Sequence, residues 1–305
     1  MMNQQPWTAA DLPSLDGRTV IVTGANSGVG RATATALAQA GAHVVLAVRD
    51  VHRGREAAQT MVGRTEVRQL DLADLSSVRS FAQSWTGALD ILVNNAGVAG
   101  GRGTFTTDGF DMQFGTNHLG HFALTNLLLP QITDRVVTLS SGAHRAGEIH
   151  FDDLDLRRRR YSLPQAYGQS KLANLLFTLE LQHRLEQAGS SVQSLAAHPG
   201  YSATSLGTQG RGKPLVSAVN LAGRLFAQTS AQGALPTLFA ATQDLPGGSY
   251  IGPDGRWELQ GHPTMVGRSD RAADPVLARR LWETSEKLTG VRFGLEPAAG
   301  FTFDE

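Results

Sequence analysis

The sequence predicts an α/β protein in which residues 1–305 form a single doubly wound domain, with a seven-stranded parallel sheet flanked by helices. Three observations carry this reading. Short β-rich runs alternate with helical patterns along most of the chain, which is the rhythm of successive βαβ units. The first such run leads through a glycine-rich turn into an apolar-periodic helix. No linker or internal repeat interrupts the series.

The strands expected are Thr19–Val22, His43–Val48, Val67–Leu70, Ile91–Val93, Arg135–Leu139, Val192–Ala197 and Ser249–Ile251, each short and rich in β-branched or apolar residues. Between the first two, Val29, Ala32, Ala36, Leu37 and Ala40 recur at helical spacing and Gly41 supplies a stop, so this helix starts near Gly28. The last helix opens at Asp274-Pro275, an N-cap followed by a proline in the first turn. It carries Leu277, Leu281, Trp282 and Leu288, and it ends before Gly290. Residues 142–165 make an inserted loop too long for an ordinary connection, with Asp152, Asp153 and Asp155 ahead of Arg157 to Arg160. The arginine run reads as a solvated surface segment offset by the aspartates, or as a phosphate or partner site, and it is given no catalytic role.

Composition narrows the function. A formal charge of zero with 18% charged residues lacks the electrostatic footprint of a nucleic-acid or polybasic membrane binder, and favours small neutral partners. The absence of cysteine excludes a disulfide framework and a thiolate nucleophile. The apolar runs Val44 to Val48 and Leu127 to Leu129 fall well short of the ~20 residues of a spanning helix, and Met1 to Asp11 shows no leader pattern. A cytoplasmic protein is expected.

Thr23-Gly24-Ala25-Asn26-Ser27-Gly28-Val29-Gly30 lies where a Rossmann-type fold places its phosphate cradle. Glycines allow the backbone to turn tightly and approach a pyrophosphate, and the helix start offers free N–H groups and a partial positive charge. The spacing is T-G-x-x-x-G-x-G and not G-x-G-x-x-G. At the tip of the second strand, Val48 stands where an acid would bind the ribose of NAD, and Arg49 follows it, positioned to pair with the 2′-phosphate of NADP. NADP is therefore favoured over NAD, with Asp50 as the residue whose carboxylate would reverse that choice. Further along, Tyr167 and Lys171 stand four residues apart on a helix, which sets a phenol beside an ammonium. At ~5 Å and an effective dielectric of ~20 their attraction is about 3 kcal/mol, enough to favour the phenolate. Tyr167, Lys171, Asn174 and Thr178 share one stripe facing a cleft, and Leu172, Leu175, Leu176 and Leu179 form another that belongs to the core.

Asp71-Leu72, Asn94-Asn95-Ala96-Gly97, Asn117 in Thr116-Asn117-His118-Leu119-Gly120, and Ser140-Ser141 fall in order between the glycine turn and Tyr167/Lys171. With this ordered set the chain, from about Gly17 to Ile251, resembles the short-chain dehydrogenase/reductase family. Asn117-His118-Leu119-Gly120-His121-Phe122, Ser170-Lys171-Leu172-Ala173-Asn174 and the long serine-to-tyrosine segment are similar to the branch of retinol dehydrogenases, the WW-domain oxidoreductase and protochlorophyllide reductase. The resemblance implies a catalytic tetrad of Asn117, Ser141, Tyr167 and Lys171, with Ser140 a strand-end hydrogen bonder. It implies cofactor contacts from Gly24, Asn26, Ser27, Gly28, Val29, Gly30, Arg49, Asp71, Leu72, Asn94, Ala96, Gly97, Tyr167, Lys171, Pro199, Gly200 and Thr204. In the reaction it implies, hydride passes between the nicotinamide and a carbonyl or alcohol carbon. Tyr167 supplies the proton, Ser141 hydrogen-bonds the oxygen, Lys171 holds the ribose, and Asn117 positions a water that reconnects Lys171 to solvent.

A lid over about 200–232, with Leu215, Val216, Val219, Leu225 and Phe226 on one face, points to a lipophilic alcohol, aldehyde or ketone. The same stripe also suits packing on the sheet or on a partner subunit in a homo-oligomer. Two rival readings stay open: reduction of a carbon–carbon double bond, and a catalytically silent NADP-binding regulator. A serine hydrolase has no G-x-S-x-G elbow to support it. His118 and His121 lack an obvious third ligand, so no metal is assigned.

Overall fold

The computed structural model describes residues 6–100, 103–201 and 229–295. Their sheet has eight strands, β1 (Thr19–Thr23), β2 (His43–Val48), β3 (Arg64–Gln69), β4 (Leu89–Asn94), β5 (Ile132–Leu139), β6 (Gln193–Ala197), β7 (Tyr250–Pro253) and β8 (Pro263–Met265). They run in the order β3-β2-β1-β4-β5-β6-β7-β8. The first seven pair in parallel as expected. The sequence-based count of seven is corrected by β8, which pairs antiparallel to β7 through Ile251–Met265, Gly252–Thr264 and Pro253–Pro263. Three residues with a leading proline carry no readable alternation, which is acceptable on an edge strand.

The helices are α1 (Gly28–Gln39), α2 (Val51–Ala58), α3 (Leu75–Gln83), α4 (Met112–Phe114), α5 (Gly120–Leu128), α6 (Leu163–Gln187), α7 (Ser230–Thr242) and α8 (Pro275–Thr289), with a π-helical turn, Gly115–Leu119, joining α4 to α5. Strand alternation distributes the core over two layers. Val20, Val22, Val44, Leu46 and Val48 pack with Leu37 of α1 and with Leu238 of α7. Ile21, Val45 and Ala47 pack on the other face with Phe81 of α3, Phe122 of α5 and Phe177 of α6. α8 begins at the expected cap, where the Asp274 carboxylate accepts from Val276 and Leu277 N–H, and stops at Gly290 with φ +64°. None of the described helices is long and apolar enough to cross a membrane.

The inserted segment 142–165 is sewn to the body. The Asp153 carboxylate accepts from the backbone N–H of Arg157 and Arg158 and from the Arg159 guanidinium. Asp155 accepts from Asp111 N–H, and Tyr161 donates to the Asp111 carboxylate. Arg157 and Arg159 are thus offset by the neighbouring aspartates, in line with the solvated-segment reading. α6 is buried nearly all round. Lys171, Asn174 and Thr178 are interior along with Leu172, Leu175 and Leu176, so only the Tyr167 end of the expected polar stripe reaches open space.

Candidate active site

The C-terminal ends of β1, β4, β5 and β6 converge at one edge of the sheet, around the reversal of strand order between β1 and β4. The glycine turn leaves β1 here. Gly24 has φ +67°, and a Cβ on it would stand 3.0 Å from Ala96; one on Gly30 would stand 2.7 Å from the Gly24 carbonyl. Ser27 makes no side-chain cap on α1, whereas Asp50, Asp74 and Asp274 cap α2, α3 and α8. The first N–H groups of α1 are left to an external acceptor.

Thr23, just before the turn, organises the floor. Its hydroxyl accepts from the N–H of Asn95 and of Ala96, each at 2.9 Å, and lies 2.9 Å from His121 Nε2. The other ring nitrogen of His121 lies 3.0 Å from the Asn117 carbonyl oxygen. A carbonyl only accepts, so Nδ1 carries the proton and Nε2 accepts from Thr23. Burial keeps this imidazole neutral, with its pKa lowered to about 4. Asn117 sits in the π turn, a feature often found at functional sites. Its amide accepts from Val98 N–H at 2.7 Å and donates to the Val98 carbonyl and to Ser170 Oγ, each at 3.0 Å.

Lys171 Nζ donates to the Leu139 carbonyl at 3.1 Å, and Asn174 Nδ2 donates to the same oxygen at 2.9 Å. A Cβ on Gly97 would stand 3.6 Å from Lys171 Nζ and 3.3 Å from Asn117 Oδ1, so the bare glycine keeps the space in front of both side chains clear. Ser140 donates to the Lys171 carbonyl, the strand-end role expected of it. Ser141 follows β5, caps a short turn by accepting from Ala143 N–H at 3.2 Å, and its hydroxyl acts to lower the pKa of the Tyr167 phenol. Lys171 Nζ is 5.6 Å from the centre of the Tyr167 ring.

The electrostatics correct the expectation that the attraction of the ammonium is enough to leave Tyr167 as a phenolate. Burial pushes Tyr167 above its ordinary pKa, with the Ser141 hydrogen bond opposing, and burial brings Lys171 down to about 8. Part of the tyrosine stays open to the cleft, but its surroundings are protein, so the upward direction holds. Desolvation outweighs the pair's attraction because Nζ faces the end of β5 and not the phenol oxygen. Tyr167 is therefore protonated at neutral pH, the state a proton donor needs.

The remaining residues from the sequence fall as follows. Asn26 and Ser27 lie at the open side of the turn, with Gly28 and the buried Val29 beginning α1. Arg49 is exposed at the tip of β2, in no ion pair among the described residues, while the Asp50 carboxylate caps α2 by accepting from Arg53 N–H. The Asp71 carboxylate accepts from Ala73 N–H, and Leu72 is buried. Asn94 turns inward, donating to Thr125 and Thr138 hydroxyls, so it ties β4 to α5 and β5 instead of facing the cleft. Ala96 borders the turn at Gly24, and Gly97 faces Asn117 and Lys171. Pro199 and Gly200 follow β6, where Gly200 N–H donates to His198 Nδ1 at 3.3 Å. Thr204 and most of the lid lie outside the described residues.

Thr23, Asn95, His121, Ser170 and Asn174 were not singled out by sequence for these contacts, since each acts through a long-range partner. His118 and His121 take partners in different layers: His118 Nε2 bonds Ser285 of α8. Together the uncapped α1, the bare Gly24, Gly30 and Gly97, and the cation behind Gly97 fit a dinucleotide.

Residues 18–213 match the short chain dehydrogenase family. The chain is 42% identical over 297 residues to Retinol dehydrogenase 13 of Homo sapiens, covering 91% of this chain and 86% of that one. Over 318 residues it is 40% identical to Retinol dehydrogenase 14 of Mus musculus, covering 95% and 91%. Among solved structures, an uncharacterized protein from Mycobacterium Paratuberculosis shares 55% identity at TM-score 0.84, covering 95% of this chain and all of that one. A Pseudomonas aeruginosa RhlG/NADP active-site complex shares 25% identity at TM-score 0.63, covering 81% and 98%. The chain belongs to the short-chain dehydrogenase family, in its retinol dehydrogenase-like branch, and is a nicotinamide-dependent oxidoreductase acting on CH–OH and C=O groups.

Proposed function

We propose that the chain is an NADP-dependent oxidoreductase of a lipophilic carbonyl or alcohol, with Tyr167 as its acid and base. The observation that carries this reading is the placement of the Tyr167 ring, at the open end of a buried polar floor, 5.6 Å from the Nζ of Lys171, which is itself fixed on the end of β5.

When bound, the nicotinamide supplies or accepts the hydride. Gly24, Asn26, Ser27 and the first turn of α1 would hold the cofactor's pyrophosphate, and Lys171 and Gly97 would border its ribose and nicotinamide end. Arg49 would pair with the 2′-phosphate of NADP, a choice supported by the buried, neutral Val48 at the acid position and by the commitment of Asp50 to the α2 cap. In reduction Tyr167 donates its phenolic proton to the acceptor oxygen, which the Ser141 hydroxyl also binds. The resulting phenolate is stabilised by the nearby Lys171 ammonium, whose charge counts most once the phenol has lost its proton. Asn117, fixed by Val98 and Ser170, stands beside Lys171 at Gly97 and orients the water through which Lys171 regains contact with solvent.

The test is a titration of the purified chain with NADPH and NADH, followed by an aldehyde and ketone panel. NADPH binds more tightly and is oxidised by apolar carbonyls; Tyr167→Phe loses at least ~10³-fold in kcat while NADPH binds within about twofold of the parent. A fully active Tyr167→Phe protein overturns the assignment, and NADPH binding without turnover by any acceptor, including conjugated C=C compounds, leaves a regulator.

A further inference from the structure

β7 is parallel to β6, so its C-terminal end lies at the same edge of the sheet as Ser141 and Pro199. The connection to β8 therefore emerges on the acceptor side of the site. It is a framed loop: Asp254 N–H donates to the His262 carbonyl, His262 N–H donates to the Asp254 carboxylate, and Gly255 N–H donates to the Gln260 carbonyl. At its tip two successive residues with full side chains, Trp257 at φ 60° and Glu258 at φ 55°, occupy the left-handed region that such residues rarely adopt. Strain of this kind persists where surrounding contacts fix it, and it clusters at functional sites.

The fixing contacts come from both walls of the acceptor side. Glu258 Oε1 accepts from Arg145 Nη2 at 3.0 Å, and Arg145 is in the turn that Ser141 caps. Glu258 Oε2 lies 3.2 Å from Nε2 of His198, the residue before Pro199. That contact lacks hydrogen-bond alignment, and burial keeps His198 neutral, so the anchoring charge partner is Arg145. Tyr201 N–H donates to the Leu259 carbonyl at 2.8 Å, which joins the loop to the chain leaving β6. The result is an apolar group held in place with much of its surface exposed: Trp257 is 77% exposed, Tyr201 49% and Leu259 45%. A hydrophobic residue kept exposed by a strained, anchored backbone has no part in the core.

We propose that Trp257 is a specificity-determining residue: with Tyr201 and Leu259 it forms the outer apolar wall of the acceptor cleft, and it selects acceptors whose chain is long enough to reach it. This rests on the reading of the site as a carbonyl reductase. The Arg145–Glu258 pair acts through Trp257 as a positioning contact, holding the indole at the rim.

The experiment compares parent and Trp257→Ala proteins in NADPH-dependent reduction of decanal and propanal. In the variant the decanal-to-propanal ratio of kcat/KM falls about tenfold while propanal stays within about twofold of the parent. An unchanged ratio overturns the inference and leaves the carbonyl-reductase reading standing. Should neither aldehyde turn over, that reading fails, and binding decides this one: decanol protects the fluorescence of NADP-loaded parent protein from acrylamide quenching, with Trp257→Phe as the blank. Protection that disappears in Trp257→Phe supports the apolar wall; equal quenching with and without decanol overturns it.

Discussion

At the floor of the cleft, Thr23, Asn117, His121, Lys171 and Asn174 are buried and tied by hydrogen bonds to one another or to strand ends. At the rim, Tyr201, Trp257 and Leu259 expose apolar side chains, and Trp257 stands on left-handed backbone. The floor has one satisfied arrangement and little tolerance of change, which suits groups that must meet a cofactor in fixed geometry. The rim is held by few contacts and can be altered without unfolding the sheet, so substrate preference can vary while the chemistry stays fixed.

Thr23→Val breaks the floor most severely. The replacement has nearly the same shape, but it strands the N–H of Ala96 and the acceptor nitrogen of His121, and leaves Asn95 N–H with the Val93 carbonyl alone. Two unpaired groups and one weakened donor lower stability by about 2 kcal/mol, read as a shift of the urea midpoint with an unchanged slope. A variant as stable as the parent means that Thr23 is not the hub of the floor.

Acidification strikes floor and rim together. Burial lowers His118 to about 3, and His121 and His198 to about 4. Each takes up a proton below about pH 6.5 when unfolded but not while folded, so its stabilising contribution is complete above 6.5 and is lost as pH falls toward 4. The slope is about 1.4 kcal/mol per pH unit for each histidine. His118 packs among Phe114, Phe122 and Phe177, so His118→Phe gives a melting temperature that falls less steeply between pH 6.5 and 5 than the parent's. Parallel curves for the two proteins contradict the assignment of a neutral His118.

Arg49→Ala tests the far end of the cofactor site. KM for NADPH rises about tenfold, the effect of one lost charge-assisted contact, while KM for NADH is unchanged. An equal rise for both cofactors removes the 2′-phosphate role.

What the sequence discloses follows the range of the interaction. Glycines at Gly24, Gly28 and Gly30, and Tyr167 four residues from Lys171, are local patterns, and the helix starts at Gly28 and Pro275 follow from local caps and glycine turns. The Thr23–His121 contact joins residues 98 apart, so nothing near either residue reveals it. The pKa of Tyr167 escaped for a related reason: charge spacing along a helix can be counted, but the desolvation that outweighed it depends on how β5 and the Ser141 turn close around the phenol. The motif of Asn94 implies both a place beside the cofactor and a tie between strands; the tie, to Thr125 and Thr138, depends on partners 31 and 44 residues away that the motif does not name.

The smallest effect separates floor from rim most sharply. Left-handed backbone disfavours a side-chain-bearing residue by about 1–2 kcal/mol, and glycine gives back part of the gain through its greater freedom when unfolded. Trp257 is 77% exposed, so little packing is lost on removing the indole. Trp257→Gly is then more stable than the parent by about 0.5–1 kcal/mol, even as it loses the preference for decanal over propanal. The measurement is a urea titration of both proteins. Loss of stability on introducing glycine means that the indole packs against the protein after all, and a packed indole is no wall for a substrate. A gain in stability joined to a loss of selectivity means that the backbone strain at Trp257 is retained for what the side chain recognises, which the well-satisfied floor, where Thr23→Val only loses stability, does not show.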